Sequence, residues 1–434
     1  MGHLVGKDIY RQLGDKIDGL TVRAPWAEAL RAILTELYSA QDAELIVKMP
    51  YSLATVRRLE RLTGLPRPQL ERQLESLADR GLVLDLHVNG TYYYMPSPMV
   101  IGIFEFTMMR QGVDHPKLAH LFHEYMEEGG FLRANFGDGQ KISLMRSLPH
   151  EGAVHPDEHV EVLDYEKAAA IVESTDRFAM GICACRHEKH HLGRPCTAPL
   201  DNCSTLGATA VDYMVRHGLA REVSKTEMLE NVARSRELGL VINADNVQRN
   251  VTFFCHCCGC CCHVLEGVSK YGYANAVVTS SYIAASDRAL CKGCGSCSRK
   301  CPIQAIPRVP DADPRFRKHG RPQVDEAICL GCGVCTLTCK SGAMKLHKRS
   351  QRVLHPATTF ERLILQCLER GTLQNQLFAD PASKTHAFLR GVVGGFLRLS
   401  PVKRALMSDT LRSRFLAALK QAASRGGKKR FTEM

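Results

Sequence analysis

The chain has 434 residues, of which 45% are hydrophobic and 24% charged, enough for two to four domains and a composition that excludes a disordered, collagenous or membrane-embedded chain. Its 19 cysteines and its net charge of +12 belong to different stretches, because residues 348–434 hold 17 Lys and Arg against 5 Asp and Glu and so carry the whole excess. Met1 to Leu20 is charged throughout, unlike a secretory signal, and no apolar run reaches the roughly 18 residues of a bilayer span, so the expected setting is the cytoplasm, with cysteines used as ligands rather than in disulfides.

Residues 1–110 read as helices followed by a hairpin. Trp26, Ala29, Leu30, Ile33, Leu34 and Leu37 recur at helical spacing, as do Leu53, Val56, Leu59 and Leu62 before Gly64. A further helix runs from Pro68, with Leu70, Leu74 and Leu77 on one face and Gly81 as its stop. Asn89-Gly90 between Leu82–Leu86 and Thr91–Tyr94 is a hairpin signal. Helix, turn, helix and two strands resemble a winged helix over about residues 40–96. In DNA-binding members the last helix enters the major groove. Here it presents Arg67, Gln69, Arg72 and Gln73 but also Glu71, Glu75 and Asp79, which oppose phosphate. The resemblance therefore implies protein docking first and DNA binding as an alternative.

Residues 111–285 read as a mixed α/β, cysteine-rich region. His115, His120 and His123 share a helical stretch with Leu118, Leu121 and Phe122, and read as satisfied or exposed histidines. Asp164 is placed as the cap of a helix through Glu173, and Ser224 with Glu227 as a capping box for a helix ending at Gly239. Val251 to Phe254 reads as a buried strand. Around these elements lie Cys183, Cys185, Cys196 and Cys203, and then Cys255, Cys257, Cys258, Cys260, Cys261 and Cys262. Ten thiols so concentrated are oxidation-prone unless ligated. They are candidates for one or two additional 4Fe-4S clusters, with neighbouring cysteines facing different clusters because adjacent side chains diverge. A structural zinc using His187, His190, His191, His256 or His263 is the alternative.

Residues 286–347 carry the most specific pattern. Cys291-x2-Cys294-x2-Cys297-x3-Cys301-Pro302 is repeated as Cys329-x2-Cys332-x2-Cys335-x3-Cys339. Three cysteines at three-residue steps wrap one face of a cubane cluster, and a fourth ligand must come from elsewhere. The pair resembles the bacterial two-cluster ferredoxin. That resemblance implies one cluster on Cys291, Cys294, Cys297 and Cys339 and another on Cys329, Cys332, Cys335 and Cys301. Gly293, Gly295, Gly331 and Gly333 are the glycines that let backbone amides turn toward cluster sulfur. The connection between the motifs is long and carries Arg315-Phe316-Arg317-Lys318, a basic run that is expected to raise a nearby potential or to meet an acidic partner.

Residues 348–434 read as a basic helical tail, with helices over Thr358–Leu373 and Ala387–Leu419 and a basic end over Arg425–Arg430. Phe388, Leu389, Val392, Val393, Phe396 and Leu397 form an apolar stripe suited to this chain's own core, an acidic partner or a membrane surface. No nucleotide or flavin motif and no nucleophile–base pair accompanies these sites. The expected fold is α+β in four parts. The expected function is an electron relay, with at least two 4Fe-4S clusters and room for three or four, between a donor and a partner oxidoreductase. A DNA-binding redox regulator and an oxidoreductase subunit with a substrate-binding cluster are the alternatives.

Overall fold

In the computed structural model, which describes residues 8–433 except 162, 319, 351, 352, 354 and 426–428, the chain opens with α1 (Ile9–Asp18), α2 (Glu28–Leu37) and α3 (Ala40–Lys48). Asp8 caps α1, and Ser39 with Asp42 forms a capping box on α3. Next come α4 (Val56–Thr63), which ends on left-handed Gly64, and α5 (Arg67–Asp79), with Pro68 in its first turn. The strands β1 (Val83–Val88) and β2 (Thr91–Pro96) pair antiparallel, and Asn89 and Gly90 both take the positive φ that the tight turn demands. Leu59, Leu70, Leu74 and Leu77 are buried in the core of this module, and an isolated bridge ties Ala54 to Tyr94.

Three helices, α6 (Phe104–Met109), α7 (His115–Glu127) and α8 (Phe131–Phe136), lead into the central region. There the chain runs β3 (Met145–Leu148), α9 (Ala168–Glu173), β4 (Phe178–Gly181), α10 (Ala184–His191), β5 (Cys203–Leu206), α11 (Ala208–Arg216), β6 (Ala220–Val223), α12 (Lys225–Glu237), β7 (Val241–Asp245) and β8 (Phe253–Cys257). The strands form one antiparallel sheet in the order β3-β7-β8-β5-β4-β6. Two sequence expectations shift. Asp164 heads a short 3-10 turn rather than a helix, because the buried Glu166 carboxylate accepts from Ser281 N–H at 2.8 Å and α9 starts only afterwards. The strand expected over Val251–Phe254 starts only at Phe253 and continues to Cys257, because pairing with β7 (Asn243 to Cys255, Val241 to Cys257) carries it into the cysteine run.

Beyond α13 (His263–Ser269), β9 (Tyr282–Ser286), α14 (Ser296–Lys300), β10 (Arg308–Val309), β11 (Arg321–Pro322), α15 (Val334–Leu337) and β12 (Met344–Lys348) make a small unit in which β9 pairs with β12 and β10 with β11. His150 N–H donates to the Cys332 carbonyl at 3.0 Å, and single bridges join Arg146 to Val278 and Val154 to Leu346, so this unit is sewn to the central sheet.

The last segment comprises α16 (Thr359–Arg370), α17 (Leu373–Leu377), α18 (Lys384–Arg398), α19 (Ser400–Met407) and α20 (Asp409–Arg425). The single helix expected over Ala387–Leu419 is broken at extended Leu399 and again at extended Ser408, and Pro401 sits in the first turn of α19, where its missing N–H goes unnoticed. Arg362 pairs with Asp245 at 3.0 Å, and Glu369 accepts from the N–H groups of Lys141 and Ile142 at 2.9 Å, which fixes α16 to the central region. Val393 and Leu397 turn inward, whereas Phe388, Val392 and Phe396 are 69%, 56% and 57% exposed. The basic end over Arg425–Arg430 lies largely outside the described residues. Among the described residues no helix is long and apolar enough to cross a membrane.

Candidate metal centres

The two repeated cysteine loops are built alike. Each turns at two left-handed glycines, Gly293 and Gly295 (φ +65 and +70) in the first, Gly331 and Gly333 (φ +66 and +83) in the second. A side chain is strained at that φ, and a Cβ at Gly293 or Gly331 would also run into the carbonyl of Arg315 or Tyr282. Each loop then enters a short helix, α14 with Cys297 or α15 with Cys335. The remaining cysteines cross over. Burial raises the Cys297 thiol, and its thiol neighbours are Cys291 and Cys339. Burial likewise raises Cys335, whose neighbours are Cys332, Cys329 and Cys301. Backbone N–H groups point at both crossover sulfurs, Ala305 at Cys301 (3.2 Å) and Met344 at Cys339 (3.4 Å). Such donors suit a cluster thiolate.

Residues 290–343 match the family model of the 4Fe-4S dicluster domain. The match spans both loops, and this protein binds 4Fe-4S clusters. No curated protein and no solved structure matches the chain. Around the dicluster domain one cation of the basic run is paired, Arg315 with Asp313 at 2.7 Å, and nearby Arg288 meets Asp311 at 2.7 Å. Buried Phe316 packs against the Gly293 turn, while Arg317 and Lys318 are exposed.

The ten central cysteines separate into a group of four and a group of six. Cys196, Cys258, Cys260 and Cys261 place their sulfurs within 4.8 Å of one another, with Cys196 to Cys258 at 3.8 Å and Cys260 to Cys261 at 3.7 Å. In the other group Cys262 adjoins Cys185 and Cys257, and Cys255 adjoins Cys183, Cys203 and Cys257. Strand alternation explains part of this: Cys255 and Cys257 share one face of β8, and His256 takes the other. The chain then turns at Gly259, and Cys262 returns as the N-cap of α13. Adjacent Cys257 and Cys258 thus part company, as do Cys261 and Cys262. Cys196 is separated from Cys183, Cys185 and Cys203, which sequence proximity had placed with it.

Charge is arranged around these groups. Arg186, 3% exposed, donates to the carbonyls of Pro199 (3.0 Å) and His256 and to Asn202 Oδ1 (2.6 Å). Burial opposes its charge, but Cys183, Cys258 and Cys257 hold it, so the guanidinium lies against both groups. A hydrogen bond with Cys261, and after it Arg186, pull the Cys258 thiol down to about 5, while burial pushes Cys183 up to about 12. Glu105 lies beside Cys185 and Cys203, and burial pushes its carboxyl up to about 7. It follows Ile101, a β-branched residue held at φ +51. A cleft of about 810 Å³ lined by Cys196, Cys258, Cys260, Arg299, Cys301 and Pro302 joins the group of four to the dicluster domain. At its floor a Cβ on Gly259 would collide with the Pro302 carbonyl.

Two histidines weighed as zinc ligands are otherwise engaged. His256 is bound by Ser235 Oγ at 2.7 Å and Ser204 Oγ at 2.9 Å, and His263 by Glu188 at 2.6 Å. His190 is exposed. His187 and His191 instead meet His115. The i, i+4 spacing on α10 signals the first two, but nothing in the local sequence signals that α7 delivers the third. His120 and His123 take no part in that group.

Proposed function

We propose that this chain is a multi-cluster electron-transfer protein that passes single electrons between a donor and a partner oxidoreductase. Cys291, Cys294, Cys297 and Cys339 hold one cluster and Cys329, Cys332, Cys335 and Cys301 a second. Cys196, Cys258, Cys260 and Cys261 hold a third, and the group of six around Cys255 and Cys262 supplies the ligands of a fourth. Bound clusters supply one-electron redox chemistry, and the protein tunes it through burial, charge and hydrogen bonds to sulfur. The observation that carries the reading is continuity. Arg186 touches both central groups, Gly259 abuts Pro302 beside Cys301, and the crossover cysteines knit the dicluster pair, so no thiol group stands apart. Anaerobic iron and acid-labile sulfide per chain test it: about 16 iron is expected, and about 8 would leave only the dicluster domain.

In this reading the N-terminal module docks protein. The winged-helix resemblance is supported by the order α3, α4, α5 and hairpin, but Arg67 is paired with Glu71 at 2.8 Å and Asp85 on β1 is held by Arg216 at 2.9 Å. Both pairs leave less unpaired positive charge for phosphate, which supports protein docking over DNA. Salt-sensitive binding to duplex DNA would instead favour a redox regulator. The exposed row Phe388, Val392 and Phe396 suits a peripheral contact with an apolar partner face or a membrane in the cytoplasm. A second reading, an oxidoreductase subunit with a substrate-binding cluster, is favoured by six thiols beside Glu105 where a cubane uses four. An iron signal that changes when a small molecule is added would select it.

A further inference from the structure

Outside the thiol groups, three imidazoles converge where α6, α7 and α10 meet. His115 opens α7, and His187 and His191 stand one turn apart on α10, the helix whose start carries Cys183 and Cys185. One ring nitrogen from each of the three lies within 4.8 Å of the others. The Nε2 atoms of His187 and His191 are 3.0 Å apart, and the ring centroids are 4.6 to 5.1 Å apart.

The opposite nitrogens fix the tautomers. His187 Nδ1 lies 2.6 Å from the Met108 carbonyl and His115 Nε2 lies 2.9 Å from the Arg110 carbonyl, both at the C-terminal end of α6. A carbonyl only accepts, so each of those ring nitrogens must carry the proton and donate. That leaves the lone pair of His187 on Nε2 and that of His115 on Nδ1. A ring nitrogen donating to a backbone carbonyl while its opposite nitrogen keeps the lone pair is the outer-sphere pattern of a histidine metal ligand. The His191 to His187 contact joins two Nε2 atoms, one of which must surrender a proton for both to face a cation. All three residues are half-buried.

We propose that His115, His187 and His191 form a mononuclear zinc site, distinct from the iron-sulfur centres, with three nitrogen ligands and a fourth position for water or a small anion. Three neutral imidazoles and an open position are a donor set that zinc takes. Its ligands come from α7 and α10 alone and include none of the cysteines. It does not rest on the relay reading, since iron content and zinc content are measured separately.

The test uses the full-length protein purified anaerobically with its clusters, stripped with a chelator and reloaded with zinc. About one zinc per chain is expected after gel filtration, and zinc K-edge absorption is expected to give about three nitrogens at about 2.0–2.1 Å, one further oxygen and no sulfur near 2.3 Å. His191→Ala, on a half-exposed side chain, and His115→Ala should each abolish retention of that zinc with iron and sulfide unchanged. Sulfur in the zinc shell, zinc retained by both variants, or no zinc retained by the wild-type protein would each overturn the proposal. The wild-type absorption spectrum decides even where a variant does not fold.

Discussion

The dicluster domain and the central region both gather thiols, and they do so by opposite means. In the dicluster domain each set of three lies on one loop, shaped by its own glycines, and only Cys301 and Cys339 come from a distance. In the central region the group of four still takes three cysteines from the 258–261 turn, but for the group of six no loop suffices: Cys183 and Cys185 come from the start of α10, Cys203 from β5, Cys255 and Cys257 from β8, and Cys262 from the cap of α13. A locally built site tolerates distant change and fails at its glycines. A site built by a sheet depends on register and on the charge buried beneath it.

The largest effect should separate the two directly. Gly331→Val places a branched side chain at φ +66 and against the Tyr282 carbonyl, and is expected to remove the Cys329 cluster, about four iron per chain. Cys258→Ser is expected to cost about four iron from the central region while the reduced dicluster signal persists in electron paramagnetic resonance. Loss of all iron from Cys258→Ser would show that the two regions fold as one cooperative site.

Charge comes next. A buried cation beside a cluster favours the reduced, more negative state, so Arg186→Met should lower the central potentials. The drop is on the order of 100 mV, for a unit charge several ångströms away at an effective dielectric of about 20. The dicluster potentials should move far less. A redox titration followed by paramagnetic resonance measures both, and equal shifts would contradict the placement of Arg186 against the central groups. A weaker perturbation is Gly259→Val, which must push the β8 turn off Pro302. Spin coupling between the group of four and the Cys301 cluster should fall, with iron content unchanged.

The same contrast explains what was legible in the sequence. Repeated spacing announced the eight dicluster cysteines, and Asn89-Gly90, Gly64 and the Ser224 capping box announced their local geometry, because each depends on a few adjacent residues. The partition of the central ten was not legible, since it depends on β8 running three residues further than its apolar run, and that is decided by pairing with β7. His115 looks like an ordinary helix residue in the sequence because its partners lie more than 70 residues away on α10. In the tail, Arg362, Arg390, Arg398 and Lys403 look free in sequence, yet they are bound to Asp245 or to backbone carbonyls.

The smallest expected effect concerns how the N-terminal hairpin, locally specified, is fastened to the central sheet. His217, just beyond α11, reaches Asp85 on β1 at 2.8 Å and Asp79 at 2.7 Å. Burial alone would lower its pKa, but the hydrogen bond to Asp85, and after it the charge of Asp85 and the hydrogen bond to Asp79, raise it above the ordinary imidazole value. A folded pKa above the unfolded one means the stabilisation is complete below about pH 6.5 and is lost as the pH rises through the raised folded value. Asp85 works at the other end. Burial would raise its carboxyl, yet His217 and Arg216 hold it below the usual range, so its contribution is present above about pH 4 and fades as the pH falls through the lowered value. His217→Gln should therefore cost roughly 1–3 kcal/mol at pH 6, the worth of a hydrogen bond between charged groups, and much less at pH 8. Denaturation at the two pH values measures the difference, and an equal loss at both would mean that His217 serves by packing rather than by charge.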